Sequence, residues 1–293
     1  MNKTTTIKRF VLTVIMVSIS NVYSQKTPTF TKNSDPKPKE LKWKLIKNMS
    51  DEFNKKKIDT KKWVTSGGWI GRPPGLFMQD NIHIENGSLN ITAYKLDETI
   101  TKNGKDFTHG GGYVASKNAN KYGYYECRMK ANKTFMSSTF WLINEKRNLT
   151  GCDKRTVELD IQECVGEIYN DGAWAAYFDS SMHSNTHSRN IPEGCDYKKA
   201  TKGANKKLAS GKVYEDYHIY GAWWKNKNEV WFYLDGELVE KVTPPADFDI
   251  EMQLRMVVET YDWNPVPANG GMNGSKEERT TSYDWVRSWL LVK

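Results

Sequence analysis

The feature that most constrains this chain is the period of its apolar residues. Segment after segment alternates apolar and polar side chains at every second position, and amphipathic helical stretches are nearly absent. Asn81 to Tyr94 reads as strand, turn, strand around Asn86-Gly87. Val230 to Val239 repeats the pattern around Asp235-Gly236. Further strands are expected over Tyr122 to Met129, Ser138 to Ile143, Val157 to Cys164, Tyr217 to Trp224, Met252 to Thr260 and Tyr283 to Val292. Many short strands, polar turns and no interleaved helices predict an all-β antiparallel sandwich or jelly roll.

The start of the chain follows other rules. Lys3, Lys8 and Arg9 precede an apolar stretch from Phe10 to Ile19, and Val22-Tyr23-Ser24 supplies small residues for cleavage near Ser24-Gln25. Residues 1–24 are therefore expected to be a cleavable export signal, giving a secreted or periplasmic protein. The apolar stretch is too short to span a bilayer, so no membrane insertion is expected. Its loss removes three positive charges from the formal +8 and leaves +5. Such a charge bears on solubility and association, not on fold. The Pro- and Lys-bearing residues 25–40 read as a flexible leader, and 41–293 as one domain.

None of the four cysteines forms a CxxC pair, which argues against zinc. Cys127 and Cys164 fall in strands as buried thiols. Cys152 and Cys195 fall in polar loops, where pairing and remaining free are both open. The run Lys55-Lys56-Lys57 with Lys61-Lys62 lacks the interleaved aromatics of a single-strand nucleic-acid platform, so no nucleic-acid partner is expected.

Chemistry concentrates in Val157-Glu158-Leu159-Asp160-Ile161-Gln162-Glu163. In a regular strand Glu158 and Asp160 share a face and Glu163 lies on the other. A β-bulge around Ile161-Gln162 would return Glu163 to their side. Three acids on one short face cannot all ionise comfortably, so at least one must hold its proton. A retaining glycosidase requires that combination, an ionised nucleophile beside a protonated acid.

Glu-Leu-Asp-Ile-Gln-Glu at 158–163 resembles the E-x-D-x-x-E signature of glycoside hydrolase family 16, in the bulged form of its agarase, porphyranase and carrageenase members. Tyr122 to Lys130, Met136 to Leu142 and Tyr283 to Arg287 resemble that family's flanking and closing strands. The resemblance covers about residue 41 to the end. It implies a β-jelly roll with an open cleft, Glu158 as nucleophile, Asp160 as helper and Glu163 as acid/base, with Trp141 a platform under the sugar. No cofactor for catalysis is implied. A structural calcium at Asp284, with backbone help near Gly87, is.

Trp69-Ile70-Gly71-Arg72-Pro73-Pro74 resembles β-porphyranases, where a Trp and an Arg at this spacing help bind the 6-sulfate of an L-galactose unit. A guanidinium fork suits sulfate oxygens, and an indole face suits a sugar ring. Arg155, His183, Asn185, Glu259 and Trp263 are further substrate-binding candidates, and Trp224 is either platform or core. The expected activity is hydrolysis of internal β-1,4 bonds of a sulfated agar-type galactan by a monomer. A β-agarase or carrageenase and, in another class, a non-catalytic galactan-binding lectin are the competing readings.

Overall fold

A computed structural model describes residues 27–293; the expected export signal at 1–24 lies outside them. Seventeen strands follow one another: β1 (Lys42–Leu45), β2 (Trp63–Val64), β3 (Gly75–Phe77), β4 (Ile82–Glu85), β5 (Ser88–Thr92), β6 (Tyr94–Lys102), β7 (Lys105–Asn120), β8 (Gly123–Lys130), β9 (Ser137–Ile143), β10 (Thr156–Val165), β11 (Ser181–Arg189), β12 (Ala200–Lys207), β13 (His218–Asn226), β14 (Glu229–Leu234), β15 (Glu237–Val242), β16 (Met252–Val258) and β17 (Thr280–Val292). They form two sheets. One runs β15-β14-β13-β8-β17-β5-β4, with β1 added beside β17. The other runs β12-β11-β10-β9-β16-β7-β2, with β3 and β6 also on β7. All pairings are antiparallel except the short β3–β7 contact. The expected all-β, two-sheet jelly roll is the fold observed.

The alternation explains the layering. Tyr125, Cys127 and Met129 of β8 and Ala222 and Trp224 of β13 point inward from one sheet. Phe140 and Leu142 of β9, Val157, Leu159 and Ile161 of β10, and Leu254 and Met256 of β16 meet them from the other. Apolar burial between the faces drives the association. Cys127 and Cys164 are buried free thiols, and Cys152 and Cys195 are joined in a disulfide. Trp224 is core: its ring is fully buried and its Nε1 donates to the Phe248 carbonyl at 3.0 Å.

The stretch read as a flexible leader is docked on the domain at Pro28 to Phe30, while most of residues 31–40 stay exposed. Thr29 donates from its backbone N and its Oγ1 to the Glu126 carboxylate over 3.0–3.2 Å. Thr31 N donates to the Gly236 carbonyl at 3.2 Å. Phe30 lies edge-on to Tyr124 and Tyr233, with ring centroids 5.0 and 5.2 Å away. The cause is non-local. The outward face of the first sheet carries Trp43, Tyr124, Trp223, Tyr233 and Trp289, an apolar patch too large to leave wet, and Phe30 covers part of it.

Candidate active site

The cleft crosses the second sheet, centred on β10. Glu158 lies opposite Ile143 of β9 and His187 of β11. Asp160 lies opposite Trp141 and Asn185. The β9–β10 register slips between Asp160 and Gln162, which is the bulge the spacing called for. Ile161 stays in the core, and Gln162 is tied to the Ser181 carbonyl and the His183 N–H. Glu163 thereby joins Glu158 and Asp160 on the cleft side, where all three line a cavity of about 600 Å³.

Each acid has its own partner. Arg189 Nη2 donates a short bond to Glu158 Oε2. His187 Nε2 stands 2.9 Å from Asp160 Oδ2, and its Nδ1 is 2.7 Å from Thr201 Oγ1. Glu163 accepts from Asn185 Nδ2 at 2.9 Å and from Tyr261 Oη at 3.0 Å. Burial and the Asp160 charge push Glu158 up to about 8, against the pull of Arg189 and His187; once Asp160 is protonated its repulsion is gone, and the bonded Arg189 guanidinium holds Glu158 as the carboxylate. Burial, helped by Glu163, holds Asp160 well above the carboxylate range. Burial lowers His187, which is therefore neutral. Asp160 therefore holds a proton, and its Oδ2 faces the neutral His187 ring without a formed hydrogen bond.

Across β9 the cleft is aromatic and basic. Trp141 is edge-on to Trp69, with centroids 6.1 Å apart, and Trp69 is edge-on to Phe77 at 4.7 Å. Gly71 has φ +118°, and a Cβ there would lie 2.3 Å from the Gly75 carbonyl oxygen, so only glycine allows the loop that aims Arg72 inward. Thr260 Oγ1 bonds the Arg72 carbonyl and accepts from Gly75 N, pinning the loop. The Arg72 guanidinium donates from Nε to Glu259 at 3.1 Å and from Nη1 to Asp262 at 3.4 Å. Burial pushes Glu259 up to about 7 although Arg72 pulls it back. Trp263 lines the same cleft and stacks on Tyr261 at 5.3 Å.

Two expected cleft residues lie elsewhere. Arg155 is fully buried, paired with Asp153 at 2.9 Å and Asp249 at 2.6 Å, with its guanidinium over the Tyr197 ring. It anchors the loop before β10. His183 shares a strand face with Asn185 but is covered by Phe178, stacked at 3.8 Å, so it does not line the cleft. The calcium site does not fit the side chains present either. Arg128 Nη1 holds Asp284 Oδ2 at 2.8 Å, and a guanidinium on that carboxylate opposes the oxygen-rich shell calcium needs. Among the described residues, the one three-residue grouping of His, Cys, Asp or Glu with metal-ligand spacing is Glu158, Asp160 and His187, inside the acid cluster.

Several cleft residues were not singled out in the sequence. His187 and Arg189 continue the alternation of Asn185 along β11 and could have been found by counting two and four residues on. Arg255, whose guanidinium lies 4.9 Å from the Trp141 ring centroid, alternates with the core residues of β16. Tyr261 and Asp262 follow β16 into a loop and carry no local signal.

Known proteins share this architecture. Residues 43–291 match the family model described as beta-porphyranase A–D, glycoside hydrolase family 16 domain. Beta-porphyranase B of Zobellia galactanivorans is 63% identical over 285 residues, covering 97% of each chain. The crystal structure of porphyranase B from that organism superposes with a TM-score of 0.89 at 66% identity, over 91% of this chain and 99% of that one. The beta-porphyranase structure from the human gut bacterium Bacteroides plebeius gives 0.76 at 37% identity, over 87% and 94%. The chain belongs to glycoside hydrolase family 16, within its β-porphyranase A–D group, and is a glycoside hydrolase.

Proposed function

We propose that this enzyme is exported and hydrolyses internal β-1,4 galactosidic bonds of porphyran, the sulfated agar-type galactan, with retention of configuration. The observation that carries the reading is the single cleft face on which the bulged strand sets Glu158, Asp160 and Glu163, with Trp69 and Arg72 across it. Its relatives' names point to the same substrate.

In this mechanism a Glu158 oxygen attacks the anomeric carbon as Glu163 gives its proton to the departing glycosidic oxygen. Glu163 then takes a proton from water, which attacks the glycosyl ester and restores Glu158. Two inversions give retention. Arg189 supports the anionic nucleophile, and Asn185 and Tyr261 hold Glu163 at the bond. Asp160 keeps a proton beside His187, so the cluster does not carry three negative charges. Trp141 supports the sugar ring, while Trp69 and Arg72 take the sulfated unit next to it, Arg72 turning one face of its fork from Glu259 and Asp262 to the sulfate. A β-agarase or carrageenase would use the same carboxylates without needing Arg72. A lectin would gain nothing from three acids held together at a desolvation cost.

The test is digestion of porphyran and agarose side by side, with the reducing-end products resolved by labelled electrophoresis. A ladder of sulfated oligosaccharides supports the reading. Cleavage of agarose alone keeps the mechanism and removes the sulfate assignment. Cleavage of neither sends the search to carrageenans.

A further inference from the structure

Arg189, like Arg72, reaches from the open side of the cleft to a buried carboxylate. Its side chain is 38% exposed, yet the anion it faces is Glu158, whose side chain is 8% exposed. A second cation stands close by: Lys146, on the loop after β9, is lowered by partial burial and by the Arg189 charge. Arg72, by contrast, already faces two carboxylates, Glu259 and Asp262.

The register places the two arginines at opposite corners. Arg189 lies opposite Thr156, at the start of β10 and on its β11 side. Arg72 reaches in beyond β9 and β16, level with Glu259, whose carbonyl accepts from Ser137 at the other end of β10's neighbour strand. A polysaccharide crossing the catalytic strand therefore meets Arg72 on one side of the cleaved bond and Arg189 on the other.

The reaction changes what Arg189 faces. When a Glu158 oxygen forms its bond to the anomeric carbon, the carboxylate becomes a neutral ester. The bond to the leaving oxygen breaks, and that oxygen takes its proton from Glu163. Glu163 is left as the carboxylate, held by Asn185 and Tyr261, so the negative charge moves away from Arg189, whose own bonded partner is now neutral. A cation left this way gains from any anion that can replace the lost one.

From this we infer that Arg189 is a second sulfate-binding arm, which shifts from Glu158 to the sulfate ester of the sugar on the opposite side of the cleaved bond from the Arg72 unit. The inference rests on the porphyran reading, because an alternating galactan of that kind sets a sulfated unit on each side of the neutral galactose that is attacked. The interaction strengthens as charge leaves Glu158, so it acts on the transition state more than on substrate binding. Arg189 thus contributes to specificity through kcat, and Arg72 through both kcat and KM.

The experiment compares wild type, Arg189→Ala and Arg189→Lys on porphyran oligosaccharides and on the neutral counterparts made by alkali, in which O3 displaces the 6-sulfate to form the 3,6-anhydro ring. Arg189→Ala slows both substrates, because Glu158 loses its partner. The sulfated substrate should lose roughly 10- to 100-fold more, mainly in kcat, as expected for one lost charge-assisted contact. Arg189→Lys keeps the charge without the fork and should fall between. Equal losses on both substrates, with wild type active on porphyran, overturn the second arm and leave the porphyran reading standing. Wild type inactive on porphyran overturns both.

Discussion

Glu126 gives the sharpest test of how the molecule is held together. Its carboxyl is fully buried under the N-terminal segment, bonded to Thr29, and burial pushes it up to about 8 from its ordinary 4.5. Arg287 pulls the other way and Glu52 adds to the rise. In the folded state Glu126 keeps its proton to about pH 8, whereas the unfolded chain releases it near 4.5. Between those values the folded state binds the extra proton, so stability falls as pH rises. Below that window the carboxyl costs nothing, and above it the full cost is present, about 5 kcal/mol. Glu126→Gln removes the titration. Its Oε1 can still accept from Thr29 N and Oγ1, so the segment stays docked. The variant should match wild type within about 1 kcal/mol at pH 5 and exceed it by about 3–5 kcal/mol at pH 9. For a domain of this size that is on the order of 10 °C in melting temperature. Urea unfolding at pH 5, 7 and 9 reads the difference directly. An offset between variant and wild type that stays constant across the three pH values would refute the reasoning, because a proton-linked cost cannot be flat in pH.

Two predictions concern the cleft. Glu158→Gln should cut turnover by more than about 10³-fold while oligosaccharide binding, followed calorimetrically, stays within a few-fold of wild type; activity near wild type would remove the nucleophile assignment. Arg72→Ala should cost roughly 10- to 100-fold on porphyran and only a few-fold on agarose, from the loss of one charge-assisted sulfate contact. Equal losses in kcat/KM on the two polymers would sink the sulfate pocket at Trp69 and Arg72.

How far the sequence reached depends on whether the governing interaction is local. Period-two alternation located β4, β5, β8, β9, β10, β13, β14, β16 and β17 to within a few residues, because each strand buries one face and the pattern records it. The long β7 went unseen. Gly110-Gly111-Gly112 interrupts its pattern, and glycine is needed there because a Cβ at Gly111 would lie 2.1 Å from the Val258 carbonyl oxygen. The bulge was legible from spacing alone, since only an extra residue brings Glu163 to the face of Glu158. Trp69, Arg72, Trp141, Glu259 and Trp263 line one cleft.

The failures share a cause, which is that partners distant in sequence decide which way a side chain turns. Arg155, three residues before Glu158, looks like a cleft arginine until Asp249 and Tyr197 are seen to enclose it. His183 obeys the right alternation but lies under Phe178, from the loop between β10 and β11. Phe30 sits in a stretch whose Pro and Lys suggest disorder, and its aromatic partners come from β1, β8 and β14. The converse also holds. Arg189 carries no motif, yet counting by two from Asn185 along β11 reaches it. A strand beside a catalytic strand should therefore be read to its end, since the same period that fills the core on one face supplies the charges on the other.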